Sequence, residues 1–360
     1  EYSRCGYLVS QGKVPYLDFF EHHNTFYCYL ISPIFKLIDN VYSVYSIFIL
    51  SWILFVLSSI MVFKIGKHYF KETRWALWSV LAFVSFKYIL VSYEGRPDAI
   101  ASFILLSSFY LFISYESKKN YFLIGLLMGF SFLLSQKALF FIPLFLLAAI
   151  IKNKNFRENF KRGLLYCLGL SIPLGVLMLF LFYHGLKYAK LYYFLNFSFN
   201  NQLEWGGIFS YYLPHFVLAN GLTLIFILLG IPVFIWAIKN GRVDKKSQLV
   251  IIMNALFIIF LLSKSRLMPD DPLYMSPLIS IISISTLRFL TNKVSFKIRP
   301  YLFFLFAVLF FVPVILNIAL FMYSHPNQTP LIIFYLENYR GEKSNCNFIF
   351  NPSTQYHDFF

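Results

Sequence analysis

The chain has 360 residues, is 59 % hydrophobic and only 13 % charged, and carries a formal net charge of +15. Soluble proteins carry about a quarter charged residues, and apolar runs this long and numerous cannot all be kept from water at once. Lipid removes that demand, because a helix satisfies its own backbone groups there. The composition therefore excludes an ordinary soluble enzyme, and continuous apolar runs in place of short alternating ones exclude a β-barrel. The expected fold is an all-α, polytopic membrane helix bundle.

In chain order, residues 1–40 are mixed and hold Asp18, Glu21, His22 and His23 just ahead of a helix-like apolar stretch, Phe26–Leu37. Two carboxylates and two imidazoles within six positions can orient a polar ligand or act as bases at a membrane surface. An interfacial loop anchored by aromatics, with Asp18 capping a turn, explains them slightly better on composition alone. Apolar runs follow at Val41–Phe63 and Trp75–Tyr93, separated by a basic stretch with Lys64, Lys67, Lys71 and Arg74. The second run contains Lys87, read as snorkelling to the interface.

A polar turn, Glu94-Gly95-Arg96-Pro97-Asp98, precedes the run Ala99–Tyr115. Pro97 and Asp98 suit the first turn of that helix. Capping accounts for Asp98 alone; it does not account for Arg96 and Glu94 beside it. Arginine is a bidentate partner for phosphate or carboxylate, so structural ion pairing and substrate contact both fit. Residues 121–151 form two short apolar runs, Tyr121–Leu134 and Ala138–Ile151, around Ser135-Gln136-Lys137. Neither spans a ~30 Å hydrocarbon core upright, and Lys137 is expected at the tip of two short helices. A basic loop follows with Lys152, Lys154, Arg157, Lys161 and Arg162. Further runs are Gly163–Tyr183, Phe216–Ala237, Gln248–Leu262, Leu273–Leu287 and Tyr301–Tyr323, with Lys264, Arg266, Asp270 and Asp271 in an intervening loop. The expected organisation is a transmembrane unit over 1–323, with an outward first loop at 1–40, and a short outer tail at 324–360.

Charge orients the bundle. The segments 64–74, 116–119, 152–162, 239–246 and 288–299 hold nineteen of the 31 Lys and Arg but four of the 16 acids. The whole positive excess lies on that side, which the positive-inside rule makes cytoplasmic. Short juxtamembrane clusters also remove nucleic acid as a partner. The topology closes only if 121–151 enters and returns on the same side, which puts the candidate reactive groups outside. Of the four cysteines, Cys167 sits in an apolar run and is expected buried, and a Cys5–Cys28 disulfide is compatible with the sequence without being required by it. No metal spacing, phosphate loop or dinucleotide fingerprint is present, so no metal or cofactor is expected.

The run from Gly12-Lys13-Val14-Pro15-Tyr16-Leu17-Asp18 through Glu21-His22-His23 to Tyr29 and Pro33 resembles the first periplasmic loop of bacterial polytopic glycosyltransferases. That group comprises the dolichyl-phosphate-mannose protein-mannosyltransferases and aminoarabinose-transferase-like enzymes. Gly95-Arg96-Pro97-Asp98 resembles its second outward motif, and Gln136-Lys137 stands, in reversed order, where members carry a Lys-Gln pair. Pro269 to Pro277 with Tyr274, and Leu336-Glu337-Asn338, resemble later outward segments. The resemblance implies a GT-C fold and transfer of a sugar from a polyprenyl-phosphate donor to a lipid, glycan or protein acceptor at the periplasmic face of a bacterial inner membrane, in cell-envelope biogenesis. It implies Glu1 as one residue of an Asp-Glu pair, with the Asp and a first helix expected upstream. Glu1 and Asp98 are then the catalytic candidates, Arg96 and Lys137 the donor-phosphate contacts, and Asp18, Glu21, His22, Glu94 and Asp270 the substrate contacts. A transporter or flippase of a lipid-linked sugar, or a non-catalytic membrane scaffold, are the rival readings.

Overall fold

The computed structural model describes residues 2–15, 18–19, 24–38, 42–85, 95–115, 117–151, 156–184, 235, 239–241, 276–293 and 298–301, with scattered positions between 303 and 319. Two compact units divide the chain, Glu1–Ile318 and Ala319–Phe360, and of the second only Ala319 is described. Among the described residues the fold is helical, the exception being one isolated bridge between Pro15 and Phe19.

Two short helices come first, α1 (Tyr2–Ser10) and α2 (Phe26–Leu37). The sequence reading anticipated α2 but not α1. A disulfide between Cys5 and Cys28 ties them together, its half-cystines 2 % and 1 % exposed. Then come α3 (Tyr42–Phe70), α4 (Thr73–Val84), α5 (Pro97–Ser114), α6 (Lys118–Leu134), a 3₁₀ turn (Gln136–Phe140), α7 (Phe141–Ile151), α8 (Phe156–Tyr183) and α9 (Ser276–Lys293). Three of them, α3, α5 and α8, are long and apolar enough to cross a membrane. At 1.5 Å per residue they measure about 44, 27 and 42 Å.

Two boundaries differ from the hydropathy reading. Helix α3 continues through the basic stretch to Phe70, and α8 begins at Phe156, so Arg157, Lys161 and Arg162 are helical and not part of a loop. Hydropathy marks where lipid ends, whereas helical hydrogen bonding runs on into the headgroup layer. Lys67 and His68 in the last turn of α3 also complement its dipole. The Trp75–Tyr93 run is described only as far as Ser85, so Lys87 lies outside the described residues, as do 204–234 and 242–275.

Ion pairs gather the basic segments. Arg288 Nη2 lies 2.7 Å from Glu72 Oε1, linking α9 to the α3–α4 turn. Lys118 Nζ lies 3.0 Å from Glu158 Oε2, linking the first turns of α6 and α8. Lys64 of α3 sits over the Tyr110 ring of α5 at 5.8 Å. These contacts set α3 and α5 parallel, with their C-terminal ends at the basic pole.

Among the described residues the most extensive helix contact joins α6 to α8, and both run away from the basic pole. Glycines permit it. A Cβ on Gly125 would strike the carbonyl oxygen of Tyr166, and one on Gly169 would strike that of Phe122. Gly129 lies against Pro173 in the same seam. Small residues spaced by four let backbones meet at van der Waals distance, a route to association that works in lipid. Helix α7 then returns toward the basic pole: Tyr166 donates to the Ile142 carbonyl at 2.9 Å, and Phe145 packs on Phe112 near the end of α5. Segment 121–151 thus rises, turns at 136–140 and comes back, as the charge argument required. Cys167 is exposed, contrary to expectation. It lies outside the glycine seam and beside Leu164 and Leu168, which are also exposed. In a membrane helix an apolar neighbourhood in sequence means contact with lipid as readily as with protein.

Candidate functional site

At the pole opposite the basic end, three separate sequence segments converge. The first is the turn into α5. Arg96 has extended backbone angles at the N-cap, Pro97 opens the helix and Asp98 follows in its first turn. Gly95 has φ +72°, a conformation other residues rarely adopt, and a Cβ there would come within 3.0 Å of Ile47. Both faces of its peptide are gripped. Its N–H donates to Ser51 Oγ of α3 at 3.1 Å, and its carbonyl accepts from the Tyr27 hydroxyl of α2 at 2.6 Å.

The second segment is the start of α2. Besides Tyr27, Asn24 donates its side-chain amide to the carbonyl of Phe132 in α6. Burial, and after it the charge of Asp98, pushes the Tyr27 phenol well above its ordinary value, so it stays a donor.

The third is the end of α6. Ser131 donates to the Ala101 carbonyl at 3.1 Å, locking α6 against α5. One turn further, Ser135 Oγ donates to Asp98 Oδ1 at 3.1 Å. Lys137 Nζ approaches the same oxygen at 3.9 Å, an ion-pair separation and not a direct hydrogen bond. The Lys137 side chain is 25 % exposed, that of Asp98 9 %. The carboxylate is therefore sunk in the bundle beside a lysine that still reaches its surface.

Of the sequence candidates, Asp98 and Lys137 are brought together, with Arg96 half-buried in the same turn as Asp98. Asp98 does more than cap its helix: its carboxylate is engaged across the bundle from α6 and the 3₁₀ turn. Asp18 is exposed and bonds locally: its Oδ2 accepts from Val14 N at 2.7 Å and its own N–H donates to the Val14 carbonyl at 2.9 Å. That is the turn-closing role weighed for it, although its charge, after burial, helps push the Tyr29 phenol up to about 12. Glu1, Glu21, His22, Glu94 and Asp270 lie outside the described residues. Among the described residues no three His, Cys, Asp or Glu side chains converge as a metal site would require.

Sequence reasoning missed Asn24, Tyr27, Ser51 and Ser135. Ser135 was accessible in principle, as the polar residue two before Lys137 in an apolar 30-residue stretch. Tyr27 and Ser51 carried no signal, because their partner is a backbone peptide remote in sequence.

Residues 22–183, which contain every residue of this cluster, match the sequence model of the family described as dolichyl-phosphate-mannose-protein mannosyltransferase. No curated protein matches the chain by sequence. Among solved structures, ArnT from Cupriavidus metallidurans bound to undecaprenyl phosphate is similar with a TM-score of 0.58 at 16 % identity, over 82 % of this chain and 55 % of that one. The oligosaccharyltransferase AglB from Archaeoglobus fulgidus, in complex with an inhibitory peptide and a dolichol-phosphate, gives 0.60 at 13 % identity, over 88 % and 50 %. The apo form of the Archaeoglobus fulgidus oligosaccharyltransferase gives 0.55 at 14 %, over 83 % and 48 %. The chain spans about half the length of the structures it matches. The resemblance read from the sequence motifs holds, and the fold is an all-α, GT-C-like membrane bundle.

Proposed function

We propose that this chain, similar over residues 22–183 to the protein mannosyltransferases, transfers a sugar from a polyprenyl-phosphate donor to a lipid, glycan or protein acceptor. The observation that carries the reading is the buried Asp98 carboxylate beside Lys137, with Arg96 in the same turn, at the pole opposite the basic clusters. Two of the structures similar to this chain bind undecaprenyl phosphate and a dolichol-phosphate, which supports a donor of that class.

In such a transfer the carrier phosphate departs with negative charge. Lys137 and Arg96 balance that charge, and their contacts strengthen as the glycosidic bond lengthens. A carboxylate orients or deprotonates the acceptor hydroxyl or amine. Asp98 supplies one carboxylate; Glu1 is the candidate for the other. Direct attack inverts the anomeric centre. Asp18, Glu21, His22, Glu94 and Asp270 remain candidates for shaping donor or acceptor.

The active face is the periplasmic face of a bacterial inner membrane. The basic clusters belong in the cytoplasm by the positive-inside rule. The Cys5–Cys28 disulfide gives independent support, because it lies in the outward segment and disulfides persist in oxidising compartments. The domain proposal is a membrane unit over 1–323 and an outer tail over 324–360.

The test is incubation of the purified full-length protein with hexose- and pentose-linked undecaprenyl phosphates and membrane lipid or glycan acceptors. Release of free undecaprenyl phosphate, lost in Asp98→Asn and Lys137→Ala, is the expected result. Movement of donor across liposomes without release would identify a transporter instead.

A further inference from the structure

Helix α8 has two parts. From Gly163 to Tyr183 it holds no charged residue, a length of about 31 Å that matches a hydrocarbon core. Its first two turns therefore stand at the level of the lipid headgroups. There they adjoin the first turn of α6, to which Glu158 is tied by Lys118 at 3.0 Å. Residues 116–119 and 152–162 hold seven Lys or Arg against Glu116 and Glu158, so the two segments carry a formal +5 whatever pairs form between them. Lys161 also lies 4.0 Å from Glu158, so one carboxylate faces two ammonium groups. Arg162 is turned inward and buried, its guanidinium over the Tyr121 ring at 5.3 Å. Lys118, Lys119, Arg157 and Lys161 stay on the surface. The α3–α4 corner of the same pole differs, because its cations are engaged by the protein. Arg74 and Arg288 share Glu72 at 2.8 and 2.7 Å, Lys67 donates to Thr73, and Lys64 sits over Tyr110.

Beside the α8 cations lies an apolar strip. Phe156, Phe160 and Leu164 recur every fourth residue and are 77 %, 60 % and 51 % exposed, with the two phenyl rings stacked at 6.4 Å. Arg157 and Lys161 form the adjoining strip, each one residue further along. A soluble anion would use the cations and leave the rings in water. A molecule with an anionic head and an acyl tail fits both strips.

We propose that the foot of α6 and α8 is a binding site for an anionic phospholipid. The phosphodiester is held by Lys118, Arg157 and Lys161, and an acyl chain lies along Phe160 and Leu164. Basic side chains at a membrane surface attract anionic headgroups, and the chain removes the exposed rings from water. The inference stands apart from the sugar-transfer reading, since the site is at the opposite pole from Asp98.

The experiment counts lipid retained by the purified full-length chain in detergent, by native mass spectrometry. The probes are dioleoyl phosphatidylglycerol and dioleoyl phosphatidylcholine. The parent is expected to retain phosphatidylglycerol in preference. Each cation removed weakens the hold on an anionic headgroup about fivefold, so Arg157→Gln with Lys161→Gln is expected to weaken phosphatidylglycerol roughly 25-fold and leave phosphatidylcholine unchanged. Lys67→Gln with Lys71→Gln takes the same charge from the same pole and is expected to stay within about twofold of the parent. Phe156→Ser with Phe160→Ser keeps every charge and is expected to weaken phosphatidylglycerol roughly tenfold. All the side chains changed are exposed, and the comparison of the two lipids on the parent needs no variant. Equal retention of the two lipids by the parent overturns the proposal. An equal loss in the Lys67 and Lys71 pair also overturns it, because overall charge would then be the cause. If the phenylalanine pair retains phosphatidylglycerol as the parent does, the foot recognises a bare anion and the phospholipid assignment is wrong.

Discussion

Tyr27 and Gly95 are joined across the pole opposite the basic end: the phenol of α2 donates to the carbonyl of the turn into α5 at 2.6 Å, 68 residues away in sequence. Ser51 holds the other side of the same glycine. The turn carrying Arg96 and Asp98 is thus fixed from two neighbouring helices before any ligand arrives. Tyr27→Phe removes one grip and leaves a buried carbonyl unsatisfied, which costs about 1–3 kcal/mol. A lowered midpoint of thermal unfolding in detergent checks this. Because Tyr27 and Ser51 hold a single residue, Tyr27→Phe with Ser51→Ala is expected to depart from additivity by more than 0.5 kcal/mol or so.

Gly95→Ala tests the backbone itself. At φ +72° an L-residue is strained by roughly 1–2 kcal/mol, and the new methyl also meets Ile47. Loss of transfer activity larger than in Tyr27→Phe is expected, with insertion into the membrane retained as judged by protease protection.

The glycine seam yields a sharper contrast. Gly125→Val or Gly169→Val drives a side chain into backbone, where nothing can yield cheaply. Both are expected to elute as aggregates in detergent size-exclusion chromatography. Gly175, on the same helix α8, has nothing within 4 Å of its Cβ position, so Gly175→Ala is expected to elute as the parent does. Equal behaviour of all three would show that the α6–α8 contact contributes little.

Cys5 and Cys28 are expected to resist maleimide unless the protein is unfolded and reduced, and Cys167, facing lipid on α8, is expected to react with a membrane-permeant maleimide in preference to an impermeant one. Closing a loop of 23 residues restricts the unfolded chain by about 3 kcal/mol. Cys5→Ser with Cys28→Ser should lower thermal stability, and a non-reducing peptide map should contain the linked pair in the parent.

Topology can be read with single cysteines in a chain carrying Cys5→Ser, Cys28→Ser, Cys167→Ser and Cys346→Ser. Lys13→Cys lies in the outward segment and Lys119→Cys at the basic pole, and both parent residues are exposed. A membrane-impermeant maleimide added to intact spheroplasts is expected to label the first and spare the second. The reverse pattern would invert the proposed orientation.

Much of the bundle was legible in the sequence because lipid imposes one strong rule, that a crossing segment must be apolar and helical. That rule located the runs beneath α3, α5 and α8, and the charge asymmetry anticipated the basic pole. It also implied that 121–151 doubles back, before any contact was known. Helix α1 escaped because its polar and apolar residues are mixed, and its packing depends on a disulfide partner 23 positions away. At the site, Asp98 and Lys137 stood out as charges beside apolar sequence. The groups that orient them did not, since serine and tyrosine are cheap in a membrane helix and reveal themselves only through a partner.

The reciprocal contacts of Gly125 and Gly169 have a bearing beyond adhesion. Helix α6 is anchored at its foot by Lys118 and Glu158 and at its waist by the glycines, and Lys137 hangs from its upper end. The seam therefore works as a ruler, setting the depth at which the ammonium group stands relative to Asp98. A slip of one turn along the seam would move the lysine by about 5.4 Å. That exceeds the 3.9 Å that now separates the two charges, so the alignment of the site is decided well below the site.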